Sequence, residues 1–555
     1  MSLPHARKSS LFWPALALAL VTAAAFSPVC TSEFLRWDDP HNLSDNPDMN
    51  PPTLRTVARY WTAPYKDLYA PLTYTAWSAA AALARMDDAA TGSTSLNPYL
   101  FHTLNLSLHI GASLAALALL RRLLGATWPA WCGAMVFALH PVQVESVAWI
   151  SGMKDVLAGL LGLTSARQYL AATERPGNWG SNSPPSFVWH RYALALALAA
   201  LAMLSKPSAV ALPLVLIAID VGWRRYPWRI SLVRLIPFFV LAVPVIAIGK
   251  AAQPAANLDY VPPVYLRPLV AIDAIGFYLG KTALPIGLGI DYGRSPRWLF
   301  QTPGLKWAGL IAVMACAFAV AAWRRWRAPG VGLLLFTAAL LPTLGLIPFD
   351  YQAYSTVADH YLYLAMIGPG LVAGTLLLGK PPLTPALPRH GVAAVAIIAM
   401  AWLTFAQTRH WRDSQSLFRH TLRVNPASLA ANVNLGNLLA EQGQTDEAIA
   451  CFRSAIATAP EDYHANLNLA NMLRLKGMLA EAEDHYRKAA NTRLGATSAQ
   501  TWTTLGAVQA MQKRYDDAIE SFQRALSIDP AYGPAKQNLD LALKLRPITP
   551  ATRPS

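Results

Sequence analysis

The stretch that decides the fold is LFWPALALALVTAAAFSPV, residues 11–29, an apolar run long enough to cross a bilayer as a helix. Its last residues are a poor signal-peptidase site, so we predict a retained first span. Soon afterwards the chain reads RWDDPHN over residues 36–42, with Asp38 and Asp39 side by side. An acidic pair at a membrane face is costly unless the protein uses it, so it points to chemistry.

The composition is that of an integral membrane protein. Of 555 residues, 54% are hydrophobic and only 14% are charged, well below the charged fraction of soluble domains. The net charge of +15 does not indicate nucleic-acid binding, because the basic residues form short clusters between apolar runs. Cys30, Cys132, Cys316 and Cys451 are widely spaced, which argues against a disulfide framework or a structural metal site.

Ten further apolar runs suggest an eleven-span bundle. They occupy residues 99–120, 129–148, 152–170, 191–205, 207–222, 232–249, 305–323, 330–348, 361–379 and 392–409. The segment 266–290 carries Asp273 and Lys281, and an ionisable group at the bilayer centre costs roughly 3 kcal/mol. We therefore expect that segment to lie on the surface or to re-enter.

The basic clusters support this count. With eleven spans and a cytoplasmic N-terminus, every strong basic cluster lies on the cytoplasmic side of the membrane. The clusters are Arg7-Lys8, Arg121-Arg122, Arg167 with Arg175, Arg224-Arg225-Arg229, Arg324-Arg325-Arg327, and Lys380 with Arg389. The loop 30–98 and everything beyond residue 409 are then predicted to lie outside.

The C-terminal region contains a repeat of about 34 residues, which indicates a tetratricopeptide solenoid. The first copy has Leu435-Gly436, Gly443, Ala448, Phe452, Ala455 and Pro460; the second has Leu469-Ala470, Gly477, Ala482, Tyr486 and Ala489; the third has Leu505-Gly506, Ala518, Phe522, Ala525 and Pro530. The third copy is two residues out of register, which predicts an insertion near residues 492–497. Its concave surface could bind an extended peptide, or the array could be a spacer or an oligomerisation element.

We predict an all-α protein: a polytopic helix bundle of about eleven spans and a C-terminal solenoid. The membrane domain covers residues 1–410, with the acidic pair in the outer loop 30–98. A linker or half repeat follows at 411–426, the tetratricopeptide domain at 427–545, and a disordered tail at 546–555.

Polar residues from distant parts of the chain fall on the same face as the acidic pair under this topology. They are His140, Glu145, Lys154, Asp155, Lys206, Asp359, His360 and Tyr361. Two adjacent carboxylates can act as a general base and its tuning partner, because repulsion and partial burial raise one pKa. Taken singly, each residue also has a plain structural explanation, such as a helix cap, an ion pair or an interfacial side chain.

In their order, these pieces resemble the polytopic C-type glycosyltransferases that use polyprenyl-phosphate sugars. The resemblance is to protein O-mannosyltransferase-like proteins, in which transmembrane spans precede tetratricopeptide repeats. The stretches that carry it are Trp37-Asp38-Asp39, Tyr69-Ala70-Pro71-Leu72-Thr73, His102 to His109, Phe137-Ala138-Leu139-His140-Pro141-Val142 with Glu145, Ser205-Lys206, and Ala358-Asp359-His360-Tyr361-Leu362-Tyr363-Leu364.

The resemblance implies a role for each part. Asp38 would be the base that activates an acceptor hydroxyl for inverting attack, and Asp39 would orient it or the sugar. Lys154, Lys206 and His360 would face the lipid phosphate, although similar proteins more often have arginine at the position of His360. Glu145 and Asp155 would position the acceptor or hold an ion.

The same resemblance implies the substrates and the setting. The donor would be a polyprenyl-phosphate mannose-like hexose, with no cofactor or divalent metal required, and the acceptor a protein or peptide bound in the repeat groove. The protein would lie in a bacterial inner membrane with periplasmic repeats, or in the endoplasmic reticulum with lumenal repeats. The segment from Tyr69 to Arg85 would be an amphipathic helix on the outer surface.

Three other functions are compatible with parts of the sequence. A membrane-anchored scaffold would need fewer spans, and a transporter would need charges within its spans. An oligosaccharide ligase with a pyrophosphate-linked donor is the closest enzymatic alternative.

Overall fold

The computed structural model describes residues 11–66, 68–87, 94–174, 187–253, 258, 260–303, 307–378 and 389–547. It divides into two compact units, Met1–Leu417 and Phe418–Ser555. Arg7-Lys8, Arg175 and Lys380, which contributed to the topology argument, and most of the proposed tail 546–555 lie outside the described residues.

The first unit begins with one long apolar helix and a polar loop. Its first elements are α1 Phe12–Phe26, α2 Leu54–Thr62, α3 Pro71–Ala84, β1 Arg85–Asp87, β2 Thr94–Leu96 and α4 Pro98–Leu124. The two strands pair antiparallel, with Arg85 opposite Leu96. A capping box between Thr53 and Thr56 starts α2, and Gly125 at φ +70° ends α4.

Helix α3 corrects the expectation of a surface helix at residues 69–85. Tyr74 and Trp77 are buried, at 2% and 0% exposure. The Tyr74 ring stacks on Tyr60 of α2 at 4.5 Å between centroids and meets Trp77 edge to face at 5.2 Å. Aromatic residues that suit a membrane interface suit a small core equally well, and here they pack together beneath the outer loop.

Thirteen more helices complete the described part of this unit. They are α5 Thr127–Leu139, α6 Val144–Ala148, α7 Met153–Ala172, α8 Trp189–Ser205, α9 Leu212–Ile217, α10 Trp228–Ala252, α11 Arg267–Ala283, α12 Pro296–Gln301, α13 Trp307–Ala322, α14 Ala328–Leu340, α15 Leu362–Ala365, α16 Ile367–Leu377 and α17 Arg389–Thr408.

Within the described residues, four helices are long and apolar enough to cross a membrane, or six if each of two bent pairs is one span. Five shorter apolar helices accompany them. Each predicted run overlaps one of these helices, but the count of eleven stays a prediction. Helix α11 is not among them; it carries Asp273, which is held by Arg294 through two bonds of 2.6 and 2.7 Å.

Two broken helices shape the centre of the unit. The segments Pro141–Ala148 and Ile150–Ala172 meet at 103°, and Asp359–Ala365 and Ile367–Leu377 meet at 51°. At the first break Gly152 passes so close to Ser146 that an added Cβ would lie 2.4 Å from its carbonyl oxygen. A side chain is therefore excluded at this position.

The first break leaves main-chain carbonyl oxygens without hydrogen-bond partners from their own helix. A side chain of α4 donates to one of them. The amide nitrogen of Asn105 donates to the Trp149 carbonyl oxygen at 2.9 Å and lies 3.4 Å from those of Val147 and Ile150. Asn105 is fully buried. Because a broken helix within a membrane protein must satisfy its backbone internally, this bond stabilises the break.

The second unit consists of helical pairs. Its elements are α18, which begins in the first unit, Ser414–Val424, then α19 Leu429–Glu441, α20 Thr445–Thr458, α21 Tyr463–Leu475, α22 Leu479–Asn491, α23 Ala499–Met511, α24 Tyr515–Ile528 and α25 Gly533–Leu545. Ser428, Asp462 and Ser498 cap the first helix of each pair.

The repeat signature has a direct packing explanation. The ring of Phe452 lies where a Cβ on Gly436 would be, at 2.6 Å, and Phe522 stands in the same relation to Gly506 at 2.7 Å. Gly443 and Gly477 both have φ +76°, which turns one helix into the next. The predicted insertion forms a short 3-10 turn at Gly495–Thr497.

Candidate functional site

Three segments bring the predicted polar residues together. They are the loop after α1, the break between α6 and α7, and the turn before α15. The breaks matter because a continuous helix would direct these side chains to different faces along its length.

Asp39 is buried and anchored at the first break. Its Oδ2 accepts a bond from the Leu35 backbone N–H at 2.9 Å, and its Oδ1 accepts from the Ser151 N–H at 3.0 Å and the Ser151 hydroxyl at 2.7 Å. Burial, with a smaller contribution from neighbouring Asp38, raises the pKa of Asp39 to about 6 against the lowering effect of these bonds. The Asp39 side chain therefore joins the loop after α1 to Ser151, just before α7.

Asp38 is different, because its side chain is only half-buried. Its carboxylate makes no hydrogen bond or ion pair to any group in the part of the chain that the structure describes. It lies near enough to His360 and Tyr361 to interact with both electrostatically. Of the two carboxylates, Asp38 is the one that can accept a proton from a ligand.

Glu145 holds the turn before α15 in place. Its Oε1 lies 2.7 Å from Nδ1 of His360, and its Oε2 accepts the His360 backbone N–H at 3.1 Å. All of these groups are buried. Glu145 therefore fixes the orientation of the His360 ring, and the other ring nitrogen, Nε2, remains for another partner.

Lys206 and Asp155 form a buried ion pair between the start of α7 and the end of α8. The ammonium group of Lys206 also lies 5.2 Å from the centre of the Tyr361 ring. Asp155 uses only Oδ1 for this pair; its Oδ2 is buried without a partner among the described residues. Lys154, on the same turn, lies 4.9 Å from the ring centre of Trp149, which contacts His360 at 5.7 Å.

A small pocket with a cavity volume of about 30 Å³ lies at this cluster. It is lined by Asp155, Ala158, Gly159, Lys206, Ser208, Ala209, Ala339, Thr343, His360, Tyr361, Tyr363 and Leu364. We call it the site pocket. It combines cationic and aromatic side chains with apolar walls, as a site for an anionic group attached to a lipid would require.

A second, larger cavity adjoins α14 and is almost entirely apolar. Its cavity volume is about 740 Å³, and its walls come from α9 and the turn after it, from α11 and from α14. Ala338 lines this cavity and the next residue, Ala339, lines the site pocket. We call it the apolar groove; at 1.5 Å per residue its α14 wall, from Arg327 to Leu341, is about 21 Å long.

Two of the predicted site residues do not line the site pocket and form hydrogen bonds to other parts of the unit. His140 binds the carbonyl oxygen of Thr282 through Nε2 at 3.0 Å and accepts the Val142 N–H at 3.4 Å, so it joins α5 to α11. Asp359 accepts the hydroxyl of Tyr292 at 2.7 Å. Both are buried, and their contacts support neighbouring elements.

The sequence patterns missed several residues that hold the site together. Ser151 ties down Asp39, Trp149 contacts Lys154 and His360, and Asn42 links the Ser151 hydroxyl at 3.1 Å to that of Tyr74 at 3.1 Å. The dipeptide Ser151-Gly152, where the predicted run 129–148 gives way to the run 152–170, was a signal of a break.

Within the described ranges, no group of three His, Cys, Asp or Glu side chains is arranged to hold a metal ion. The expectation that no divalent metal is required stays a prediction.

Comparison with known proteins connects both units to other chains. The tetratricopeptide repeat family matches residues 400–456 and 461–531. Protein O-mannosyl-transferase TMTC1 of Homo sapiens is 23% identical over 409 residues, which are 64% of this chain and 45% of that protein. Protein O-mannosyl-transferase TMTC4 of Homo sapiens is 23% identical over 522 residues, 80% of this chain and 67% of that protein.

Among solved structures, the crystal structure of MamA protein covers 24% of this chain and 73% of that chain, at 22% identity and a TM-score of 0.23. The chain spans about half of TMTC1 and two thirds of TMTC4. Over most of its length it is therefore similar to proteins named protein O-mannosyl-transferase, and its C-terminal part consists of tetratricopeptide repeats.

Proposed function

We propose that the protein is a membrane glycosyltransferase that moves a mannose-like hexose from a polyprenyl-phosphate donor to a hydroxyl of a protein acceptor. The observation that carries the proposal is the unpaired carboxylate of Asp38, which interacts electrostatically with His360 and Tyr361, two residues that line a pocket with Lys206. The relatives named protein O-mannosyl-transferase support the same reaction class.

Asp38 acts as the general base. It takes the proton of an acceptor serine or threonine hydroxyl while the hydroxyl oxygen attacks the anomeric carbon of the sugar. The bond between that carbon and the phosphate oxygen breaks on the opposite side, so the configuration inverts. Asp39 does not exchange protons with the acceptor in this scheme, because its oxygens are bound to Leu35 and Ser151.

The leaving group is a lipid monophosphate, whose negative charge grows as the bond breaks. Lys206 and Lys154 supply positive charge, and His360 supplies a hydrogen-bond donor, to stabilise it. Lys206 lines the pocket directly, and its pairing with Asp155 holds it there. Lys154 makes no ion pair in the described part of the chain, so its charge is available to the phosphate.

The apolar groove takes the lipid chain. It begins beside the site pocket at Ala338 and Ala339, so one lipid can place its phosphate in the pocket and its tail along α14. Its length of about 21 Å fits several isoprene units. The repeats bind the acceptor, and the reaction takes place on the outer, periplasmic face of the membrane.

The test is the Asp38→Asn variant in the full-length protein, assayed with radiolabelled polyprenyl-phosphate mannose. Loss of the base should lower transfer by about 100-fold or more, since general bases contribute roughly 10²–10⁴. Glu33→Gln is the matched control, because Glu33 is an exposed carboxylate of the same loop and should leave the rate unchanged. Normal transfer by Asp38→Asn would refute the assignment, and transfer only from a pyrophosphate-linked donor would identify a ligase.

A further inference from the structure

The chain that leads into the repeats is hydrogen-bonded to the segment that carries Asp38. The backbone N–H of Glu33 donates to the carbonyl oxygen of Arg412 at 2.9 Å, and that of Arg36 donates to the Ser414 hydroxyl at 2.9 Å. Residues 412–414, which we call the linker, follow α17 and lead into α18. All of these residues belong to the unit Met1–Leu417.

The opposite side of the same segment is fixed at the first helix break. The Leu35 N–H donates to Asp39, whose other oxygen binds Ser151. The carbonyl oxygen of Glu33 is also 3.2 Å from Nε2 of His102. Asp38 is therefore a half-buried residue of a segment anchored on one side by the linker and on the other by Ser151 at the helix break.

The hydroxyl of Ser414 has no task in capping its own helix. Asp413 caps α18, with Oδ1 accepting the Ser416 N–H at 2.7 Å and Oδ2 accepting the Ser416 hydroxyl at 3.0 Å. Ser414 is nevertheless buried, at 8% exposure. The Ser414 hydroxyl oxygen accepts a hydrogen bond from the segment before Asp38, and it does not cap α18.

We propose that Ser414, together with the main chain of Arg412, positions Asp38. The proposal rests on the proposed function of Asp38 as the base. Helix α18 begins at Ser414, so the hydroxyl that accepts the Arg36 N–H belongs to the first residue of this helix. Ser414 is thus a positioning residue, since it acts through the segment 33–39.

The kinetic signature follows from where the linker acts. Its described contacts reach residues 33–36 but none of the pocket-lining side chains Asp155, Lys206 and His360. A loosened base lowers the rate of the chemical step and leaves donor binding unchanged. Ser414→Ala should therefore lower kcat and leave the KM for the donor lipid within error.

The experiment uses Ser414→Ala, Ser414→Thr and Ser416→Ala in the full-length protein in lipid nanodiscs. The hydrogen-exchange rate of peptides covering residues 33–39 measures how firmly this segment is held, independently of transfer activity. We expect faster exchange there and a kcat lower by about fivefold to tenfold in Ser414→Ala, since one hydrogen bond contributes about 1 kcal/mol. Ser414→Thr keeps a hydroxyl and should restore both, and Ser416→Ala should resemble the wild type.

Unchanged exchange and kcat in Ser414→Ala would overturn the proposal, and so would an equal effect in Ser416→Ala. A higher donor KM with unchanged kcat would also overturn it. Faster exchange only in Ser414→Ala, with no transfer activity in the wild type, would support the anchor and refute the proposed function.

Discussion

Asp38 and Asp39 are adjacent in the chain but occupy different environments. Asp39 is buried with three hydrogen bonds, and Asp38 is half-buried with an unbound carboxylate. Consecutive side chains of an irregular loop point in different directions, so one can serve as an anchor and the other can face a ligand.

The raised pKa of Asp39 predicts a stability profile. The folded protein holds this proton more tightly than the unfolded chain, whose pKa is near 3.8. The contribution of Asp39 to the free energy of unfolding is therefore largest below about pH 4 and falls as the pH rises to about 6, by about 3 kcal/mol.

Asp39→Asn removes this titration. The difference between the melting temperatures, wild type minus variant, should increase as the pH is lowered from 6.5 to 4. Asp45→Asn, at an exposed position of the same loop, should keep the wild-type profile. Parallel profiles for wild type and Asp39→Asn would contradict the prediction.

The buried pair of Lys206 and Asp155 predicts a split between stability and activity. Removing one partner leaves an uncompensated buried charge, which costs about 3–5 kcal/mol, whereas removing both costs less. Lys206→Met alone should lower the melting temperature strongly, and Lys206→Met with Asp155→Asn should recover much of it. Transfer should remain low in both, because the phosphate has lost a cation; recovered transfer in the double variant would exclude Lys206 from phosphate binding.

At the scale of elements, the breaks in two helices create the site. A continuous helix through residues 141–172 would carry Ser151, Lys154 and Asp155 away from the loop after α1. The bend of 103° brings them to Asp39 and to the turn before α15. Gly152 is required there because its Cα packs against the Ser146 carbonyl.

The apolar groove along α14 leads to a prediction about the chain length of the proposed lipid donor. Ala338→Trp should fill the upper part of the apolar groove and raise the KM for a long-chain polyprenyl donor, with a smaller effect on a donor of two isoprene units. Val313→Trp on α13 is the control, because Val313 is 57% exposed and outside the groove. Equal effects on long and short donors would place the lipid chain elsewhere.

At the scale of the whole molecule, the proposed function assigns catalysis to the first unit and acceptor binding to the repeats. Deletion of residues 427–545 leaves the linker and α18 in place, so the catalytic groups keep their anchors. Transfer to a protein acceptor should fall, mainly through a higher KM, whereas transfer to a short peptide should persist. Equal transfer to the protein acceptor with and without the array would exclude the recruitment role.

The sequence predicted the parts of the fold that follow a periodic pattern. Apolar runs located the helices of the membrane unit, and the 34-residue period located the repeats because small residues and aromatics recur with a fixed spacing. Tyr74 and Trp77 were misread as interfacial, because the same amphipathic aromatics fill a core beneath a loop.

The site was harder to predict than the fold. Residue type and order brought Glu145, Lys154, Asp155, Lys206 and His360 onto the list of candidates, and the structure places them together. Ser151, Trp149 and Asn42 could not be found, since their importance comes from contacts across more than a hundred residues or from a break that periodicity does not reveal.

The bond from Asn105 to the Trp149 carbonyl also bears on how the chain is made. An unsatisfied carbonyl in hydrocarbon costs several kcal/mol, so the break before α7 is unfavourable until its donor is present. Asn105 lies in α4, which is synthesised and enters the bilayer before the break does. Asp39 follows the same order: it leaves the ribosome long before its partner Ser151, and its loop can close only after the break has been synthesised. Both bonds therefore wait for the same short segment, residues 149–151.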